Sequence, residues 1–95
     1  MPEKKKSLPA GGSVLLVDDE ESIRESLGDL LRACGFTVKS ADSYKEAVKA
    51  ISGSKSLEAI ICDMKMPGES GLEVLRYLND NKINVPLIFL TGYGT

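Results

Sequence analysis

The chain has 95 residues, a net charge of −2 at pH 7, 42% hydrophobic residues and 5% aromatics, which is one domain's worth of chain with one modest core. That balance argues against a basic nucleic-acid footprint, a base-stacking surface or a charged membrane contact, and with no His, zinc and triad chemistry lose their usual ligand and base. No apolar stretch approaches the ~20 residues of a membrane span, and no apolar segment follows the charges of Met1-Pro2-Glu3-Lys4-Lys5-Lys6, so a signal peptide is not expected.

Residues 1–12 are rich in Lys, Pro and Gly and read as a disordered basic lead. The first apolar run, Val14-Leu15-Leu16-Val17, sits in a strand over 13–17 and stops at Asp18-Asp19-Glu20. Ile23, Leu27, Leu30, Leu31 and Cys34 then recur at helical spacing, which predicts a helix with these residues on its inner face. Gly35 ends it.

Phe36-Thr37-Val38-Lys39-Ser40 alternates apolar and polar and predicts a half-exposed edge strand. Ser43 and Glu46 form a capping box that opens a second helix, with Ala47, Val48 and Ile51 inward and Gly53 at its end. A third strand over 58–62 leads to Asp63. The loop through Pro67, Gly68 and Gly71 opens a third helix over 71–80, with Leu72, Leu75 and Leu78 inward. Pro86 opens a fourth strand, Leu87-Ile88-Phe89-Leu90, which stops at Thr91-Gly92. Cys34 and Cys62 lie within apolar patterns without disulfide spacing and read as buried, reduced thiols.

The order βαβαβαβ with three continuously apolar strands predicts a doubly wound parallel α/β sheet, with the alternating second strand at an edge. A flavodoxin-like order 2-1-3-4 follows, and ligands of such sheets bind beyond the strand C-termini at the switch point between strands one and three. Asp18, Asp19 and Asp63 would meet there. In this topology the first helix covers one face and the other two cover the opposite one, so strands three and four lack cover on the first face and strand four is an open apolar edge.

An acidic pair after a strand is often only a helix N-cap, and one Asp before a Pro-Gly loop is often only a turn. The coincidence of strand ends is what favours a site. Three clustered carboxylates can hold Mg²⁺ and leave positions to water and phosphate oxygen. The cation keeps Asp63 ionised, and an ionised carboxylate can attack phosphorus to give an acyl phosphate. Thr91 would donate a hydrogen bond to the phosphoryl oxygens.

At these residues the chain resembles the response-regulator receiver domain of two-component signalling, a CheY-like fold, over about 13–95. The resemblance rests on Asp18-Asp19 after strand one, Asp63 with Met66-Pro67 and Gly71 behind it, and Thr91 after strand four. It implies phosphorylation of Asp63 by a sensor histidine kinase, Mg²⁺ held by Asp18, Asp19, Asp63 and the Lys65 carbonyl, and Thr91 as a switch hydroxyl. It implies a cytoplasmic phosphoacceptor that is not an enzyme, beyond weak self-phosphorylation from small donors. Thr91-Gly92-Tyr93-Gly94-Thr95 also resembles receivers of sigma-54-dependent transcription activators. The family's fourth helix, its fifth strand with a phosphate-pairing lysine, and its fifth helix would all lie beyond Thr95, so the expectation is a truncated receiver.

Two alternatives stand beside this reading. One is a self-associating fragment without phosphotransfer, a homodimer or higher oligomer joined through the open sheet edge. The other is a haloacid-dehalogenase-type phosphatase, which wants Asp-x-Asp after its first strand where this chain has Asp18-Asp19.

Overall fold

A computed structural model describes residues 12–54, 56–66, 68 and 70–90. The elements are β1 (Ser13–Val17), α1 (Glu21–Ala33), β2 (Thr37–Ala41), α2 (Tyr44–Ser52), β3 (Leu57–Asp63), α3 (Gly71–Asp80) and β4 (Leu87–Leu90). All pairings are parallel, as the alternation of strands and helices favours, and the sheet order is the expected β2-β1-β3-β4. The basic lead falls almost wholly outside the described residues. Gly12 at its end is described: it is buried, and its carbonyl accepts the Thr37 N–H at 2.9 Å.

β1 is central, and Val14, Leu15, Leu16 and Val17 are all at most 4% exposed. Its alternating side chains feed two faces. Leu15 and Val17 join Ile60 and Cys62 of β3 in the main core, beneath Ala47 and Ile51 of α2 and Val74 and Leu78 of α3. Val14 and Leu16 point to the other face, where α1 packs over β1 and β2.

α1 departs from its expected burial. Ile23 is 36% exposed and Leu30 59% exposed, and only Gly28 of this helix is buried. The helix lies over β1 and β2, so its apolar stripe leans toward the β3–β4 half of the sheet, where no described element covers it. Cys34 is exposed at the helix end, against the expectation of a buried thiol, because the helix stops there; Gly35 turns the chain with φ +99°. Cys62 is buried as expected, and burial, then the charges of Asp63 and Asp18, push its thiol up to about 12.

The phase of α3 also differs. Leu72 is 54% exposed, while Gly71, Val74 and Leu78 form the buried face. The capping Ser43 accepts the Glu46 N–H at 3.2 Å, as the second helix start predicts. β3, apolar from Ala59 to Cys62, and β4, apolar throughout, are covered by the described elements on one face only: Phe89 and Leu87 pack on the main core, whereas Ile88 is 52% exposed on the α1 side.

Candidate functional site

The site lies at the C-terminal ends of β1 and β3, which are adjacent although not consecutive in sequence. The β1–β3 register pairs Val17 with Cys62, so Asp18 and Asp63 follow side by side. Both point to the α1 face, because they continue the Leu16 and Ile61 row. Asp18, Asp19 and Asp63 each bring a carboxylate oxygen within 4.8 Å of the other two. Asp18 is 4% exposed, Asp63 is half-buried and Asp19 is open to solvent.

Asp18 and Asp63 are each held by backbone N–H groups. The Asp18 N–H donates to the Ala41 carbonyl at 3.1 Å, tying the end of β1 to β2. Asp18 Oδ1 accepts the Glu20 N–H at 2.9 Å, closing a tight turn. Asp63 Oδ1 accepts the Lys65 N–H at 3.2 Å, so Lys65 is held beside the site by its own backbone, its side chain exposed. Behind Asp63, the Met64 N–H donates to the Leu90 carbonyl at 3.2 Å and the Gly71 N–H to the Met64 carbonyl at 2.8 Å. A Cβ on Gly71 would lie 2.5 Å from the Asp63 carbonyl oxygen and 2.9 Å from a Phe89 ring carbon. Only glycine lets the start of α3 approach the acid so closely.

Burial raises the Asp18 carboxyl above its ordinary value. The Glu20 N–H opposes that rise, and the charges of Asp63, Asp19 and Glu20 add to it. A divalent cation reverses this crowding, and an all-carboxylate donor set suits a hard, oxygen-seeking ion such as Mg²⁺. The residues present therefore fit the metal.

Of the residues singled out in the sequence, the fold brings Asp18, Asp19 and Asp63 together and sets Lys65 beside Asp63. Thr91 lies outside the described residues. Sequence reasoning passed over Arg24, whose guanidinium Nη1 donates to the Asp18 carbonyl at 2.7 Å. The available signal was a cation in the first turn of a helix, where the macrodipole disfavours it.

The acidic cluster thus sits at the switch point of a 2-1-3-4 parallel sheet, the place where doubly wound α/β domains bind their ligands. The chain belongs to the response regulator receiver domain family, which it matches over residues 14–95. It is 44% identical over 82 residues to the transcriptional regulatory protein FixJ of Rhizobium meliloti, covering 86% of this chain and 40% of FixJ. It is 34% identical over 87 residues to the C4-dicarboxylate transport transcriptional regulatory protein DctD of the same organism, covering 92% of this chain and 19% of DctD. The chain thus spans well under half the length of these relatives. Among solved structures it resembles the response regulator TrrA of Thermotoga maritima, in complex with Mg²⁺-BeF, at a TM-score of 0.78 and 38% identity, covering 87% of this chain and 71% of that one. The crystal structure of FixJ-N gives a TM-score of 0.79 at 40% identity, covering 87% and 66%. Among the described residues no helix is long and apolar enough to cross a membrane.

Proposed function

We propose that this receiver domain accepts a phosphoryl group on Asp63 from a sensor histidine kinase, in the cytoplasm and with Mg²⁺. The observation that carries this reading is the convergence of Asp18, Asp19 and Asp63 within 4.8 Å at the switch point. The Mg²⁺-BeF complex of TrrA, a 38% identical relative, supports it.

Asp18, Asp19, Asp63 and the Lys65 carbonyl would hold the cation, whose chemistry is to offset the charge of phosphate oxygens beside carboxylates. Asp63 is the nucleophile: one carboxylate oxygen forms the new bond to phosphorus while the bond from phosphorus to the donor breaks, and the leaving group carries away the electron pair. The Lys65 N–H on Oδ1 orients the carboxylate. The Thr91 hydroxyl would donate to a phosphoryl oxygen. Catalysis of this kind is positioning and charge compensation, so the domain is a phosphoacceptor and its self-phosphorylation from small donors is weak.

The test is intact mass after incubation with acetyl phosphate and Mg²⁺, followed by site mapping. A single phosphoryl group on Asp63, absent in Asp63→Asn, is expected. Labelling that survives Asp63→Asn would move the nucleophile elsewhere. A chain that binds Mg²⁺ yet takes up no phosphate from acetyl phosphate or a phosphorylated kinase would favour the second reading, a self-associating domain with a passive acidic site. That reading draws on the exposed apolar row of α1 and β4.

A further inference from the structure

Arg24 is the fourth residue of α1, a position where the helix dipole disfavours a cation. A residue that contradicts its local environment marks a place where something else holds it. Here its Nη1 donates to the Asp18 main-chain carbonyl at 2.7 Å, a short, charge-assisted bond. Its own N–H donates to the Glu20 carbonyl at 3.2 Å, and the Glu20 N–H donates to Asp18 Oδ1 at 2.9 Å. Residues 18, 20 and 24 therefore close a ring of three hydrogen bonds around the turn that carries Asp18 and Asp19. Arg24 is half-buried, and among the described residues its guanidinium bonds a carbonyl rather than a carboxylate oxygen.

We propose that Arg24 is a positioning residue for the acidic cluster: its guanidinium on the Asp18 carbonyl fixes the Asp18–Glu20 turn, and so presents Asp18 and Asp19 to a cation in ready-made geometry. This rests on reading the cluster as a cation site. The carbonyl it grips belongs to the peptide between Asp18 and Asp19, so its orientation sets where the Asp19 side chain departs. Without the clamp, repulsion among the three acids would be relieved by swinging the exposed Asp19 outward, and a cation would first have to gather it back.

The sign of the effect separates positioning from charge. Removing a positive charge near a cation site should by itself tighten cation binding. Losing a residue that orients ligands weakens it, by about tenfold or more where such partners have been removed from metal sites. The experiment compares Arg24→Ala, Arg24→Met, Arg24→Lys and Arg32→Ala with the unaltered chain. Arg32 is an exposed arginine on the same helix, 3.4 Å from Asp29, and its variant matches the charge change. Mn²⁺ affinity is read from the paramagnetic resonance of free Mn²⁺, and exchange of the Glu20 amide proton from metal-free spectra.

Arg24→Ala and Arg24→Met should bind Mn²⁺ about tenfold more weakly and exchange the Glu20 amide faster. Arg24→Lys, which can still donate to the carbonyl, should restore most of both, and Arg32→Ala should match the parent. The methionine keeps the apolar stem, so it carries the comparison if the alanine variant does not fold. Equal or tighter Mn²⁺ binding in both Arg24→Ala and Arg24→Met overturns the proposal. If the unaltered chain binds no Mn²⁺, the cation reading itself fails, and Glu20 exchange alone decides the clamp: unchanged exchange in Arg24→Met removes it.

Discussion

Asp18 is a buried acid among other acids. The residue is 4% exposed and its carboxyl sits beside two other acids, with a hydrogen bond from the Glu20 N–H in compensation. Because burial raises this carboxyl above its ordinary value, the folded state holds the proton more tightly than the unfolded state. Its contribution to stability is therefore full in acid, below its unfolded value, and is lost as pH rises through its raised folded value. Metal-free Asp18→Asn, whose amide oxygen can still accept the Glu20 N–H, should melt higher than the parent at neutral pH and lose that advantage in acid. Mg²⁺ should raise the melting temperature of the parent at neutral pH and much less that of Asp18→Asn. Thermal unfolding across pH, with and without Mg²⁺, checks both. A lower melting temperature for metal-free Asp18→Asn at pH 7 would mean that the buried acid is compensated by more than the Glu20 amide.

At the scale of elements, the strands were legible and the faces of the helices less so. Apolar runs bounded by acids and Gly-Pro loops mark β1, β3 and β4, and alternation marks β2 as an edge, because period-two burial depends only on neighbours along the sheet. Helix phase depends on what lies across the interface. Leu72, Leu75 and Leu78 fit an inner stripe, yet α3 turns Gly71, Val74 and Leu78 inward, since its first residue must seat against the backbone of Asp63. The glycine was visible in the sequence; the close approach it permits was not. The convergence of Asp18, Asp19 and Asp63 was legible from strand ends, while Arg24 was hidden because its partner is a backbone carbonyl. Gly71→Ala tests the packing argument. Its methyl would press on backbone and on the Phe89 ring, so a loss of about 1–3 kcal/mol in stability is expected, as for other overpacked sites. Since α3 must back away from Asp63, Mn²⁺ binding should weaken as well. Denaturant unfolding and a Mn²⁺ titration read the two effects. A Gly71→Ala chain as stable as the parent would show that α3 can shift freely relative to β3.

On the scale of the whole molecule, the two sides of the sheet are unequal. Among the described residues one face is sealed by α2 and α3 over a continuous core, and the other is covered by α1 over β1 and β2. Between α1 and the β3–β4 half runs a groove of about 420 Å³ lined by Asp18, Ile23, Leu27, Leu30, Asp63 and Leu90. Ile88, 52% exposed, continues the same face onto β4, which among the described residues pairs only with β3. An uncovered apolar face beside an unpaired strand edge is a template for association. At ~25 cal/mol per Å², a few hundred Å² of such surface supplies several kcal/mol of drive. The 95-residue chain on its own should therefore form a dimer or higher oligomer at micromolar concentration, and a two-fold pairing of β4 with its own copy would shield both grooves. Ile88→Lys places a charge on the exposed side of the edge strand and should shift sedimentation toward the monomer while circular dichroism stays unchanged. Leu30→Glu, on the α1 wall of the groove, should act in the same direction, since both residues belong to one continuous surface. A folded parent that sediments strictly as a monomer would mean that this face is stable in water uncovered, and would remove the self-associating reading altogether.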